Sequence, residues 1–210
     1  AIGYEKAMRQ RNKLLRDNVT DPRWYMALEA RMAETGSVMT QNRQATLSRL
    51  AEAQDPASPF PQPDLSLDDD TPADLAEALA ESRWRDRQTG RTLLGPHRAD
   101  LSAHWAARDR AAAQCSTGEQ KALLISTVLA HARALQALVG HAPILLLDEV
   151  AAHLDDARRA SLYDALGNLG AQAFLTGTGP ELFAPLGQRA QVFRVSETDG
   201  ASQLTEEDLP

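Results

Sequence analysis

The sequence predicts an α/β fold: a parallel sheet with helices on it, preceded by a helical-hairpin arm. Three observations lead there. Strand-like and helix-like segments alternate over residues 144–195, the pattern of a parallel sheet covered by helices. Ile144-Leu145-Leu146-Leu147 is a short unbroken apolar run, which predicts a strand buried on both faces. Residues 4–53 carry only helical periodicity. Composition agrees, because aromatics are 5% of the 210 residues and Ala and Leu dominate, a bias toward helix.

The elements follow in order. Residues 4–17 read as a helix with a narrow apolar stripe of Ala7, Met8, Leu14 and Leu15 among basic residues. Asp21-Pro22 is a helix start, with Asp as N-cap and Pro in the first turn. A long helical pattern runs over residues 22–53, and Gly36 is expected to kink or split it. Together these make residues 1–53 an arm or lid. Residues 54–72 hold five prolines and Asp68-Asp69-Asp70, the composition of a linker with a solvated acidic loop. A head is expected over residues 73–195. It opens with a helix to about residue 88, then a turn and a short strand broken by Gly95-Pro96. Residues 99–114 give a weak, mixed signal. Helices follow over 117–140 and 155–169, strands over 144–147, 172–176 and 191–195, and a short helix over 180–186. The polar, acidic tail, 196–210, is expected to fray.

Charge and cysteine content exclude several classes. The formal net charge is −7, which rules out a wholly basic nucleic-acid surface. Local patches survive: residues 1–31 and 81–110 each carry seven Lys/Arg against four Asp/Glu. Such blocks are also what ordinary solvated faces look like. The single cysteine, Cys115, excludes an internal disulfide framework and a Cys-rich zinc site. No apolar run approaches the roughly 20 residues of a membrane span, and no signal segment opens the chain. A soluble, cytoplasmic, membrane-free protein is the expectation.

Two motifs carry chemistry. The 144–147 strand ends in Asp148-Glu149, and ligand sites in open α/β sheets lie at the carboxyl ends of strands. An Asp there can hold Mg²⁺ directly or through water. A neighbouring Glu can polarise an attacking water in phosphoryl transfer. Two solvated acids at a strand end fit the same residues. The second motif is Ser116-Thr117-Gly118-Glu119-Gln120 at the start of the 117–140 helix, where free N–H groups favour a phosphate. Ser116 with Glu119 three residues on also fits a plain capping box.

In this order and spacing the two motifs resemble the second half of an ABC-type ATPase head. Ser116 to Gln120 resembles the signature, Asp148-Glu149 the end of the Walker B strand, and Ala152-His153-Leu154-Asp155 the D-loop. Thr117 stands where the signature usually has its first glycine. Leu175-Thr176-Gly177-Thr178 offers no switch histidine. With Arg11-Asn12-Lys13-Leu14-Leu15 and Gly95-Pro96-His97-Arg98, these departures resemble the RecF family, SMC-like recombination mediators, along residues 4–195. No Gly-x-x-x-x-Gly-Lys-Ser/Thr P-loop occurs, so the chain reads as the C-terminal half to two-thirds of such a protein.

The resemblance implies an ATPase that dimerises with ATP and Mg²⁺ on gapped or junction DNA, meets RecR, and assists RecA loading in recombination, replication restart and the SOS response. It implies Glu149 as the catalytic residue and Asp148 as the Mg²⁺ residue, acting directly or through water. Ser116, Thr117, Gly118, Glu119 and Gln120 would bind nucleotide in trans, with Leu154 and Asp155 in the D-loop. The chain alone is expected to be inactive. The DNA candidates are Arg9, Arg11, Lys13, Arg16 and Arg98. Arg98 could equally meet a partner subunit, and His97 reads as a structural or interface residue. The alternatives are another SMC-like head, an ABC transporter's nucleotide-binding domain, or a binding module without catalysis.

Overall fold

A computed structural model describes residues 1–207 of the chain. They form two compact units: residues 1–51 with 64–103, and residues 52–63 with the chain from His104 onward.

In the first unit, α1 (Ile2–Arg16) and α2 (Arg23–Glu52) are followed by β1 (Pro63–Asp68), α3 (Leu75–Glu81), α4 (Arg83–Thr89) and the start of β2 (Asp100–Trp105). Tyr4, Ala7, Met32, Leu75 and Leu79 form one buried cluster. The arm expected over residues 1–53 therefore shares its core with α3, and the linker expected over 54–72 contains β1. The proline-rich stretch still forms a strand because β1 has β2 to pair with, and Ser102 donates to Asp68 between them.

α2 runs unbroken through Gly36. That glycine serves close packing instead of a kink, since a Cβ there would lie 3.2–3.3 Å from Pro96, Leu75 and Tyr4. The single helix expected after residue 72 is two, parted at Ser82, which caps the end of α3 and the start of α4. The Ser82 hydroxyl lies within donating distance of Leu79 O (3.2 Å) and Asp86 Oδ2 (3.1 Å), which share its one proton. The short strand expected near residues 91–95 is absent. The backbone N–H groups of Thr92 and Leu93 bond the side chains of Asn12 (2.7 Å) and Asp86 (3.3 Å) instead of a neighbouring strand.

Beneath these segments lies a buried charge network. Arg11, fully buried, donates through Nε to Glu29 (3.1 Å) and through Nη1 to Asp86 (2.7 Å) and Thr92 (2.8 Å). Its Nη2 donates to Leu79 O at 2.7 Å. Arg83 also binds Glu29 and lies over the Tyr25 ring, 5.2 Å from its centroid. This corrects the assignment of Arg11 to DNA contact: a guanidinium with no exposed surface and these committed donors cannot reach a phosphate. Alternate basic residues look alike along a sequence, and only the acids brought from α2 and α4 distinguish this one.

In the second unit come β3 (Arg110–Ala111), α5 (Thr117–Val139), β4 (Leu145–Leu147), α6 (Asp156–Leu169), β5 (Ala173–Leu175), β6 (Val192–Thr198) and β7 (Ala201–Glu207). β4 and β5 pair in parallel, with Leu147 opposite Leu175. Ile125, Leu129, Leu145, Leu162 and Leu166 form their core. Ser116 and Gly140 cap α5. α5 is long and apolar enough, by length and composition, to pass for a membrane span, with mean hydropathy 1.6 over an 18-residue stretch, contrary to expectation. Core helices meet the same criterion, and its buried Ala122, Ile125, Leu129 and Ala132 belong to this core.

β4 is not buried on both faces: Leu145 is 8% exposed but Leu146 is 76% exposed, and β5 is its one neighbour among the described residues. The short helix expected over 180–186 is 3₁₀, at Pro180–Leu182 and Ala184–Arg189. The strand expected over 191–195 extends as β6 and pairs antiparallel with β7, not with the parallel sheet. Thus the tail expected to fray is a hairpin through Glu207, closed by Asp199 and Gly200, both at positive φ. Residues 208–210 of that tail lie outside the described residues.

Arg11→Ala should destabilise the first unit by about 3–5 kcal/mol, because it leaves Asp86 buried without its cation. The exposed Arg9→Ala should stay within about 0.5 kcal/mol of the parent chain. Urea unfolding followed by Trp24 and Trp84 fluorescence, with Trp105 replaced by Phe, measures both.

Candidate functional site

The chemistry gathers in the second unit around the end of β4. Asp148 and Glu149 follow its last residue, Leu147. Parallel pairing with β5 continues one step further, as the Thr176 N–H donates to Leu147 O at 3.1 Å. The Thr176 hydroxyl therefore sits beside the acids. It donates to Asp148 Oδ1 (2.5 Å) and accepts from the Glu149 N–H (3.0 Å). Glu149 has φ +53°, in the left-handed region that disfavours residues with a Cβ. Asp148 is exposed and Glu149 partly so, open to a ligand.

Among the described residues, no group of three or more His, Cys, Asp or Glu side chains could hold a metal. A lone exposed carboxylate does suit Mg²⁺, which keeps several waters and is commonly completed by substrate phosphates. Asp148 fits that role; the described residues offer no all-protein cage.

The D-loop segment follows. Ala151–His153 is a 3₁₀ turn, Leu154 is buried, and Asp155 caps α6 by accepting from the Arg158 N–H at 2.8 Å. Arg159 donates to Ala151 O (3.3 Å) and Leu154 O (2.9 Å), bracing the turn.

At the start of α5, Ser116 and Glu119 make a full capping box. The Ser116 N–H and hydroxyl both donate to Glu119 Oε2, at 2.9 and 3.0 Å. Arg108, stacked over Trp105 at 4.3 Å, donates to Glu119 Oε1 at 2.5 Å. The bond from the Ser116 backbone, with help from its hydroxyl and Arg108, holds the Glu119 carboxyl below its usual range. Thr117 and Gly118 are exposed, and nothing lies within 4 Å of where a Gly118 Cβ would be. Gln120 Nε2 donates to Cys115 O at 3.1 Å. Among the described residues, no hydrogen bond or ion pair joins this cluster to Asp148 and Glu149.

In the first unit, Arg9, Lys13 and Arg16 of α1 and Arg98 of the 3₁₀ turn Pro96–Arg98 are exposed. His97 has partners at both ring nitrogens. Tyr4 Oη lies 2.9 Å from its Nδ1 and Thr92 O lies 3.3 Å from its Nε2. With Nε2 carrying the proton, the ring donates to Thr92 O and accepts from the Tyr4 hydroxyl. Burial, with Arg98 nearby, lowers its pKa from 6.5. Gly95, at φ +128°, makes room for this contact: a Cβ would lie 2.4 Å from Tyr4 Oη.

Thr176, Arg159, Arg108 and the Tyr4–His97 pair escaped sequence reasoning. For Thr176 a signal existed, since it ends the strand expected to neighbour the acid-tipped one.

No family model matches the chain. It is 50% identical over 211 aligned residues to "DNA replication and repair protein RecF" of Rhizobium leguminosarum bv. trifolii (strain WSM2304), covering 94% of this chain and 56% of that protein. The protein of that name from Brucella abortus (strain 2308) is 47% identical over 97% of this chain and 56% of its own length. The chain thus spans about half the length of the curated relatives it matches. In fold it is similar to the solved "recombination mediator protein RecF-ATP in RecFOR pathway", with TM-score 0.72 at 21% identity, over 97% of this chain and 57% of that one.

The lowered His97 pKa sets a pH dependence. The unfolded ring takes up a proton near pH 6.5 and the folded ring only below that. Stability from neutral His97 is therefore complete above that range and lost as pH falls through it. Urea unfolding between pH 7 and 5 should show this fall, and His97→Gln should flatten it.

Proposed function

Because this chain belongs to the RecF family, we propose that it is the signature and Walker B portion of a DNA-binding, ABC-type ATPase acting in DNA replication and repair. The observation that carries the reading is the acid pair Asp148-Glu149 at the carboxyl end of β4, in parallel register with β5. In this reading ATP and Mg²⁺ lie against that end. Asp148 would hold the cation, whose chemistry there would be charge neutralisation at the phosphates. Glu149 orients the attacking water and takes its proton. Ser116, Thr117, Gly118, Glu119 and Gln120 face a second subunit's nucleotide, so that ATP joins two copies. Leu154 and Asp155 form the D-loop. Ser116's donors are engaged by Glu119, so an arriving γ-phosphate displaces that carboxylate.

Arg9, Lys13, Arg16 and Arg98 contact DNA phosphates, at gaps or junctions; RecR and RecA are the proposed protein partners. The relatives' name supports a role with DNA; ATP and the finer steps are this reading's own. A transporter domain or another SMC-like head loses ground to relatives at about half identity that carry one name.

In the full-length protein, Glu149→Gln should bind ATP normally and stop hydrolysis measured with DNA present. Gln keeps the size but cannot accept the proton. Turnover at the parent rate would remove Glu149 from this role.

Replacing Arg9, Lys13 and Arg16 together by Gln should weaken DNA binding and lower its log–log salt slope by roughly 2–3 for duplex DNA. Fluorescence anisotropy across a salt series measures this, and an unchanged slope would mean that the charges only solvate α1.

A further inference from the structure

Building on the Walker B reading, we infer that Thr176 is a positioning residue of the ATPase site, its hydroxyl setting the Asp148 carboxylate and the Glu149 backbone together. Both functions of that hydroxyl are in use. It gives its proton to Asp148 Oδ1 at 2.5 Å and receives the Glu149 N–H at 3.0 Å. The Thr176 backbone is itself fixed by its bond to Leu147 O, one step beyond the Leu147–Leu175 pair. The hydroxyl is therefore held by the ladder that delivers the two acids.

The clamp has chemical consequences. A bond to one carboxylate oxygen fixes the plane of Asp148 and limits the directions from which its other oxygen can meet a cation or a cation-bound water. The bond to the Glu149 N–H acts on a residue at φ +53°, a conformation that a Glu does not adopt by preference. Losing that tether would let the backbone relax and swing the Glu149 carboxylate away from its working position. The segment after this strand offers Thr176-Gly177-Thr178 and no imidazole. Thr176 thus adds no charge of its own that titrates near neutral pH; its contribution is geometry. Ser would supply the same hydroxyl, whereas Val matches the shape of Thr without it and Ala removes it with the least steric demand.

The test uses the full-length protein and four variants: Thr176→Val, Thr176→Ala, Thr176→Ser and Glu149→Gln. Binding of a fluorescent ATP analogue is titrated with Mg²⁺ and without it, alongside DNA-stimulated hydrolysis and thermal unfolding. In Thr176→Val and Thr176→Ala, the Mg²⁺ concentration for half-maximal binding should rise about 10-fold or more, as when an outer-shell partner of a metal ligand is lost. kcat should fall by a similar factor, while Mg²⁺-free binding stays at the parent level. Thr176→Ser should restore both. If Val unfolds the protein, Ala decides. Parent-like Mg²⁺ dependence and kcat in Thr176→Ala would overturn the inference, as would equal losses in Thr176→Ser. Glu149→Gln separates the two claims. Hydrolysis surviving in it removes the Walker B reading, whereas an inactive Glu149→Gln beside a parent-like Thr176→Ala removes only the clamp.

Discussion

The parallel pairing of β4 with β5 is the constraint on which the functional reading depends. Leu147 opposite Leu175 brings the next residues of each strand together, so Asp148 and Glu149 meet Thr176 without any long-range search. A slip of one residue would turn alternate side chains to the other face and break this meeting. What fixes the register is burial: Leu145 enters the core with Ile125, Leu129 and Leu162 of the flanking helices. The chemistry at the strand end is thus a consequence of packing along the strand.

The first unit has an analogous anchor of a different kind. Arg11 joins α1 to Glu29 of α2, to Asp86 of α4, to Thr92 beyond it and to the carbonyl of Leu79 in α3. Buried ion pairs often add little net stability, but they are costly to break and they reject alternative arrangements. Here the network specifies how the helices meet and fixes Thr92, whose carbonyl lies within bonding distance of His97. The basic residues left exposed on α1, namely Lys6, Arg9, Lys13 and Arg16, are displayed on a helix that Arg11 holds from beneath.

Much of this was legible in the residues. The capping box at Ser116 and Glu119, the helix of α5, the strand of β4 with its terminal acids, and the helix of α6 all follow local rules of periodicity and capping. What was not legible depends on residues far apart in the chain. Arg11 reads like its basic neighbours until Glu29 and Asp86 are in place. Gly36 reads as a helix breaker until Pro96, Leu75 and Tyr4 close over it. The tail reads as frayed because Leu204 stands alone among small and polar residues over 196–207, yet seven aligned pairs with the strand before it make a hairpin. Thr176 was legible only by position, at the end of the strand expected beside the acid-tipped one; its bonds to Asp148 and Glu149 give it a role.

If the acids of one subunit and the signature of another share one ATP, their contributions must complement between subunits. Full-length Glu149→Gln and Ser116→Ala proteins, each checked for impaired hydrolysis alone, can be mixed with ATP and DNA while sedimentation reports the mixed dimers. A mixed dimer contains one site with an intact Glu149 facing an intact Ser116, so the account predicts that hydrolysis returns in part. Mixed dimers that form and remain no more active than either variant alone would contradict it.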